Sequence, residues 1–417
     1  MIVVRARWIV PVTDRPILNG WIALDHGRIA AVGRPGAGLP LHGDAPLVDL
    51  GAFAILPALV NAHTHLELSW MAGLVPPADS FIAWVSAMLG RRFGQMPSAD
   101  VVREAIVRAI GEMRRSGTGF VGDISNSLAT VAPLRESDLD GVVFHEVLGF
   151  RSDEADSVLE AAVRAQEREG TSGRFPVSLA PHAPYSVSPR LFQGVRHACA
   201  RTPFLPSTVH VGESPEEVEF TRTGAGPWRP FLEQLGVWDD GWVAPGCRPV
   251  EYLDRMGVLG PRLLAVHGVQ CDDRELAVLR DRGCTLVTCP RSNVHVGVGE
   301  PPVSRMYRSG VRIAVGTDSL ASNSDLNLFS ELAALRKLAP DVPADRLIAS
   351  ATLEGARALG FDDRAGAIEP GRSAALIAVA LPAQCIDVEE ELVQGVTPDR
   401  VRWVSEMLAE AGVGRAQ

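Results

Sequence analysis

Ile55-Leu56-Pro57-Ala58-Leu59-Val60-Asn61-Ala62-His63-Thr64-His65 is an apolar run that ends in two histidines one residue apart. Alternate side chains of a strand share a face, so a buried strand over Ile55 to Ala62 sends His63 and His65 off its C-terminal end to the same side. Imidazole nitrogen suits zinc and similar divalent ions, and the pair reads as two jaws of a metal clamp. His-x-His also arises by chance in strands. The weight of the reading therefore rests on the remainder of the chain.

From Ile55 to about Gly360, apolar runs of strand length alternate with helical stretches, the rhythm of repeated βα units. After the first run come Gly119 to Ile124, Gly141 to Val147, Pro176 to Ala180, Pro206 to Val211, Leu263 to Val266, Thr285 to Cys289 and Arg312 to Thr317. Between them, stretches such as Val101 to Arg115 carry Val102, Ile106, Ala109, Ile110 and Met113 at helical spacing, with Ser98 the expected N-cap. This predicts an α/β fold, a closed parallel (β/α)8 barrel over residues 55–360. An open doubly wound sheet is the alternative, but no Gly-rich phosphate fingerprint follows the first strand. Residues 1–54 read as short strands and turns, too small to stand alone, and Gly366 to Val379 offers a similar turn and strand. The expectation is one composite β-sandwich domain built from both chain ends, 1–54 plus 361–381. Residues 382–417 read as a helical tail, Pro398 to Ala411, able to pack on the barrel or on a second subunit of a homodimer. The long insertion between Glu213 and Leu263 is rich in Gly, Pro and Trp, which favours an ordered cover over a random linker.

Composition narrows the function. An apolar share of 46% and a charged share of 22% are those of a globular protein, and a net charge of -10 argues against nucleic acid or an anionic membrane as partner. The six cysteines are scattered with no Cys-x-x-Cys pair, residues 1–20 lack the pattern of a secretory signal, and no run approaches ~18 apolar residues. The expectation is a cytoplasmic protein acting on a small molecule.

Catalytic groups of such a barrel sit at strand C-termini. His63 and His65 end the first run, His210 lies near the end of the fifth, His267 follows the sixth and Asp318 ends the eighth, with Glu213 three residues beyond His210. Three neutral imidazoles and a carboxylate, His63, His65, His210 and Asp318, can bind one divalent ion and leave a position for water. Such an ion lowers the pKa of water from 15.7 to about 7. Glu213 is placed to take the water's proton and deliver it to a ring nitrogen of a substrate, and His267 to orient the water or stabilise a developing oxyanion. Lys337 is the only lysine and lies beyond the eighth strand, so a carbamylated-lysine bridge between two metals is closed to this chain. Glu146, at the end of the third strand, either substitutes as a bridging ligand or, the favoured reading, is a structural or substrate-contact carboxylate.

The set His63-Thr64-His65, His182 in Pro181-His182-Ala183-Pro184-Tyr185, His210 with Glu213, His267-Gly268-Val269 and Gly316-Thr317-Asp318-Ser319 resembles the amidohydrolase superfamily, in particular its cytosine deaminase, chlorohydrolase and S-adenosylhomocysteine deaminase group. The resemblance covers nearly the whole chain. It implies a zinc or iron ion on His63, His65, His210 and Asp318, with Glu213 and His267 catalytic. More finely, His65-Leu66-Glu67-Leu68-Ser69, Phe81-Ile82-Ala83-Trp84 and Thr317 to Asn323 are similar to aminodeoxyfutalosine deaminases. Ala375 departs from the family, which usually carries an aspartate there.

Around that centre, His182 is placed to hydrogen-bond the substrate ring, against the alternative of a structural histidine. Glu67 either reaches a ribose hydroxyl or caps local backbone. Phe81 and Trp84 form an aromatic wall or pack in the core, and Ser292 and Asn293 sit at the functional rim or form a turn. Arg91 and Arg92 grip a carboxylate or form a solvated face. Together with these residues, the resemblance implies metal-dependent hydrolytic deamination of an adenine nucleoside-like substrate, aminodeoxyfutalosine or another 5'-modified adenosine, with release of ammonia. The alternatives are chlorohydrolysis, cyclic amide hydrolysis or guanine- or cytosine-type deamination on the same site, and, more remotely, a non-catalytic scaffold.

Overall fold

The computed structural model describes residues 1–38 and 46–413. Residues 39–45 of the anticipated β-domain and 414–417 of the anticipated tail lie outside them.

Eight parallel strands carry the middle of the chain: β1 (Leu59–Thr64), β2 (Thr118–Ser125), β3 (Asp140–Val147), β4 (Val177–Pro181), β5 (Ser207–Val211), β6 (Leu263–His267), β7 (Thr285–Thr288) and β8 (Arg312–Val315). They are buried nearly throughout, as expected of strands covered on both faces. By ladder pairing they form two sheets, in the orders β4-β3-β2-β1 and β5-β6-β7-β8, rather than the single ring read from the alternation. Between the sheets, β4 lies against β5 and β8 against β1, and hydrogen bonds join each pair near the candidate site. His210 N–H donates to the His182 carbonyl (2.8 Å) on one side, and Asp318 N–H donates to the His63 carbonyl (3.1 Å) on the other.

The apolar run that began at Ile55 is divided between two sheets. Phe53–Pro57 pairs antiparallel with Leu376–Ala380, Ala58 N–H donates to the Ala375 carbonyl (2.9 Å), and β1 begins only at Leu59. The change of partner falls between Ala58 and Leu59, whose N–H donates to the Gly117 carbonyl (2.9 Å). The sheet it leaves has the order Val401–Trp403, Leu376–Ala380, Phe53–Pro57, Trp8–Ile9, Ile17–Leu18, and so joins the two chain ends. A second sheet, Arg28–Gly33, Trp21–Asp25, Ile2–Arg5 and Leu47–Asp49, shares with it a buried cluster that includes Ile2, Ile9, Ile22, Ile55, Leu376 and Val404. The stretch expected as one helix over Pro398 to Ala411 is strand Val401–Trp403 followed by helix Val404–Glu410. Val401 and Trp403 are buried on the sheet edge, and the edge pairing outcompetes helix propensity.

The helix over Ala99–Arg115 buries Val102, Ile106, Ala109, Ile110 and Met113 as its period requires. Ser98 holds its N-cap position but makes no side-chain cap bond. The insertion is ordered into helices Pro215–Thr223, Trp228–Gln234 and Pro249–Arg255. Its aromatic residues stack over the strand ends: Trp228 on Tyr185 at 3.8 Å between ring centroids, and Trp242 on Phe220 at 4.5 Å. Among the described residues, no helix is long and apolar enough to cross a membrane.

Candidate active site

The C-terminal ends of β1, β5, β6 and β8 bring His63, His65, His210, His267 and Asp318 to one point. Nε2 of His63 and of His65 lie 3.8 and 3.6 Å from Asp318 Oδ1. The rings of His63 and His210 are 5.0 Å apart between centroids. Donor atoms of His63, His65 and Asp318 lie within 4.8 Å of one another, as do those of His63, His210 and His267. Burial, and then repulsion from neighbouring imidazoles, pushes the His63 ring well below the usual histidine range; burial does the same for His210. Both rings are therefore neutral, the form that binds a cation. His63 is fully buried, and neither of its ring nitrogens has a hydrogen-bond partner. Such orphaned polar atoms are costly, and a cation between His63, His65 and Asp318 would satisfy one of them. The donor set fits a divalent ion.

Each candidate ligand is held from behind. His210 donates Nδ1–H to the His182 carbonyl (3.1 Å), which leaves Nε2 free. Asp318 Oδ2 accepts from Ser292 Oγ (2.6 Å) and Ser322 Oγ (3.3 Å). Burial opposes ionisation of Asp318, but the imidazoles of His65 and His267 and the Ser292 hydroxyl outweigh it and hold the carboxyl below its usual range. β1 and β8 are pinned together by Asn61, which donates to Thr317 Oγ1 (2.7 Å) and accepts from Thr317 N–H (3.2 Å), and by Thr64 Oγ1 donating to the Asp318 carbonyl (2.8 Å). His267 and Asp318 both have left-handed backbone, at φ 75° and 57°. Such strain in non-glycine residues persists only where the surroundings over-determine it.

Glu213 is buried against this cluster, with Oε1 3.4 Å from His267 Nε2. Burial, joined by the negative charges of Asp318 and Glu217, pushes its carboxyl well above the usual range. Its backbone is fixed by Glu217, whose carboxylate accepts from Gly212 N–H (3.1 Å) and Glu213 N–H (2.8 Å). His267 donates Nδ1–H to Asn293 Oδ1 (2.9 Å), so Nε2 is the bare nitrogen that faces Glu213.

These groups open into a cavity of about 520 Å³ lined by His65, His182, His210, Glu213, His267 and Asp318 at its inner end and by Trp84, Glu146 and Tyr185 along its wall. His182 bonds Ser186 Oγ through Nδ1 (2.5 Å), and burial pushes its ring down to about 3. Trp84 stacks on Phe81 at 6.2 Å. Glu146 accepts from Asn126 Nδ2 (2.8 Å), and its other oxygen lies 3.5 Å from His210 Nδ1.

Three anticipated substrate contacts are not brought to the cavity. Glu67 is absent from its lining; it accepts from Arg92 Nη2 (2.9 Å), Ser125 Oγ (2.9 Å) and the N–H groups of Asn126 and Ser127 (both 3.1 Å). It is a local backbone cap, because a buried carboxylate needs several donors and the loop after β2 supplies them. Ser292 and Asn293 sit behind Asp318 and His267 rather than at the rim. Sequence reading gave no role to Asn61, Tyr185 and Ser322, which it quoted only within motifs, and did not single out Glu217 or Asn126. The signal for Asn61 was a polar residue inside an apolar run, and for Glu217 a carboxylate in the first turn of a Ser-Pro-capped helix; Asn126 offered none.

The model of the amidohydrolase family matches residues 54–402. The aminodeoxyfutalosine deaminase of Deinococcus radiodurans is 33% identical over 361 residues, 82% of this chain and 81% of that one. The 5-methylthioadenosine/S-adenosylhomocysteine deaminase of Syntrophobacter fumaroxidans is 32% identical over 374 residues, 86% of this chain and 80% of that one. Among solved structures, an adenosine deaminase from Xanthomonas campestris with bound zinc superposes with a TM-score of 0.80 at 27% identity, over 96% of this chain and 90% of that one. The family match runs from the sheet that joins the chain ends through all eight parallel strands, and on that evidence the chain belongs to the amidohydrolase family.

Proposed function

We propose that the protein is a metal-dependent hydrolytic deaminase that replaces the exocyclic amine of an adenine nucleoside-like substrate with oxygen and releases ammonia, its substrate being aminodeoxyfutalosine or another 5'-modified adenosine. The observation that carries the reading is the apposition of Glu213 to His267 (3.4 Å) beside the His63, His65 and Asp318 cluster. The names of the D. radiodurans and S. fumaroxidans relatives support the substrate class. The architecture behind it is a (β/α)8 barrel whose two halves are the four-stranded parallel sheets, with a β-sandwich drawn from both chain ends.

His63, His65, His210 and Asp318 would hold one divalent ion, zinc by preference and iron as the alternative. When bound, the ion acidifies water and so supplies the nucleophile at neutral pH. Glu213 is placed to take a proton from the attacking water and pass it to the ring nitrogen next to the reacting carbon, which makes the ring an electrophile; the second proton of the attacking water goes to the departing amine, which leaves as ammonia. His267, neutral and fixed by Asn293, steers the attacking oxygen. His182, Trp84 and Glu146 line the wall against which the nucleoside lies.

The test is ammonia release by zinc-loaded protein from adenosine, 5-methylthioadenosine, S-adenosylhomocysteine, aminodeoxyfutalosine, guanine and cytosine. Turnover of an adenine nucleoside is expected, and Glu213→Gln should lower kcat by about 10²–10⁴ while keeping stoichiometric zinc. Bound zinc with no turnover of any amine would sink the deaminase reading.

A further inference from the structure

Glu213 stands on the loop between β5 and the helix Pro215–Thr223, and the start of that helix departs from the usual pattern. In a capping box the N-cap side chain accepts from the backbone N–H three residues on, and a carboxylate at that third position reaches back to the N–H of the N-cap. The chain forms the full pair at Asp272 and Glu275, which open the helix Asp273–Asp281. At the helix Pro215–Thr223 one half is made: Ser214 Oγ accepts from Glu217 N–H (3.2 Å). The Glu217 carboxylate reaches past Ser214 to the two residues before it. Its Oε1 accepts from Gly212 N–H (3.1 Å) and its Oε2 from Glu213 N–H (2.8 Å). Glu217 is fully buried, so water does not compete for these bonds. The loop is gripped from the other side as well, by the loop that follows His267. The Gly212 carbonyl accepts from Gln270 N–H (2.7 Å), and the Val211 carbonyl from Gly268 N–H (3.1 Å). Gly212 has φ 61°, and a Cβ there would lie 3.0 Å from Cys271 Sγ, so the two loops pack without slack.

From this we infer that Glu217 is a positioning residue for the reaction: it fixes the peptide from which Glu213 projects, and so sets the 3.4 Å approach of Glu213 to His267. Glu217 is absent from the lining of the cavity, so it acts only through Glu213. Without its carboxylate two buried N–H groups lose their acceptor, and the loop must shift to find another. A shift of about 1 Å at a reacting group costs up to about 10²-fold in rate. The inference rests on the proposed deaminase activity and adds to it the residue that holds the proton shuttle in place.

The experiment compares kcat, KM and bound zinc in the zinc-loaded full-length protein and three variants, on an adenine nucleoside that the parent deaminates. Glu217→Gln keeps the length of the side chain but turns an amide NH2 toward one of the two N–H donors; Glu217→Asp keeps the carboxylate but is one methylene short of them. Ser214→Ala weakens the same helix end and leaves both acceptors in place. Both Glu217 variants are expected to lower kcat by about 10–100-fold, with KM within about twofold and zinc still stoichiometric, the split that marks an interaction used in the transition state. Ser214→Ala is expected to lower Tm and to keep kcat within about twofold of the parent. Parental kcat in either folded Glu217 variant, or an equal fall of kcat in Ser214→Ala, overturns the inference and leaves the deaminase reading standing. If neither Glu217 variant folds, hydrogen–deuterium exchange of the parent over residues 211–214 decides: slow exchange of the Gly212 and Glu213 amides sustains the inference, and exchange as fast as that of exposed backbone overturns it. Absence of ammonia from every nucleoside with the zinc-loaded parent removes the deaminase reading and this inference with it.

Discussion

At the scale of single residues, the site depends on groups that never touch the cavity. Ser292 donates to Asp318 Oδ2 at 2.6 Å and, with Ser322, satisfies the oxygen that does not face the histidines. Partners placed behind a metal ligand are commonly worth 10–100-fold in affinity or activity. Ser292→Ala should therefore weaken zinc binding by about tenfold or more with little change in thermal stability, as measured by competition with a chromogenic chelator. Asp123 makes a separate prediction. Its Oδ1 accepts from Leu66 N–H (2.9 Å), and burial raises its carboxyl from 3.8 to about 8. Below 3.8, folded and unfolded chains both hold the proton; between 3.8 and about 8 only the folded chain does. The contribution is thus full at low pH and is lost as pH rises through that window, at about 1.4 kcal/mol per pH unit. Asp123→Asn keeps an acceptor for Leu66 and removes the proton. Its stability relative to the parent, from urea unfolding, should rise steadily between about pH 5 and pH 8, and a pH-independent difference would show that the folded-state carboxyl is not raised.

At the scale of elements, the meeting of β1 with β8 is what brings the candidate ligands His63, His65 and Asp318 together. A Cβ on Gly316, just past β8, would lie 2.6 Å from the His63 carbonyl oxygen and 2.7 Å from His63 Cβ. Neither neighbour is the free end of a flexible side chain. Gly316→Ala must then push the two strand ends apart, at a cost of about 1–3 kcal/mol. It should also lose zinc, since Asp318 and His63 move with those ends; a variant that keeps parental zinc affinity would show that the seam is more compliant than its contacts indicate. The helix Phe81–Gly94 is tied to the loop after β2 through Arg92, Glu67 and Asn126. That tie explains why a charged residue stays in an otherwise apolar wall: Arg92 anchors the helix that presents Trp84 and Met88 to the cavity.

At the scale of the molecule, candidate ligands from strands at both ends of the parallel array converge, so binding of a metal there would be linked to folding. His63 and Asp318 are 255 residues apart in the chain, and a divalent ion bound by both stabilises only the folded state. Zinc at 100-fold above its Kd should add about 2.7 kcal/mol and raise Tm of chelator-treated protein, whereas His63→Ala should show no such rise. The local signals of that architecture lie in plain view: strand-length apolar runs, helical periodicity, and the residue that ends each run, because these depend on a few neighbouring positions. They sufficed for the βα rhythm and for His63, His65, His210, Glu213, His267 and Asp318 as one set. Where the run at Ile55 changes sheets was not legible, since both halves are equally apolar and only the partner strand, Leu376–Ala380, tells them apart. Nor was the destination of Glu67, whose five donors come from Arg92 and from Ser125 to Ser127. Asn61 and Thr317, bonded across 256 positions, make the same point. Residue type determined which chemistry this chain can perform, while the tertiary structure decided which polar groups meet the cavity and which stand behind them, because a buried hydrogen bond is set by the long-range packing that brings its two ends together.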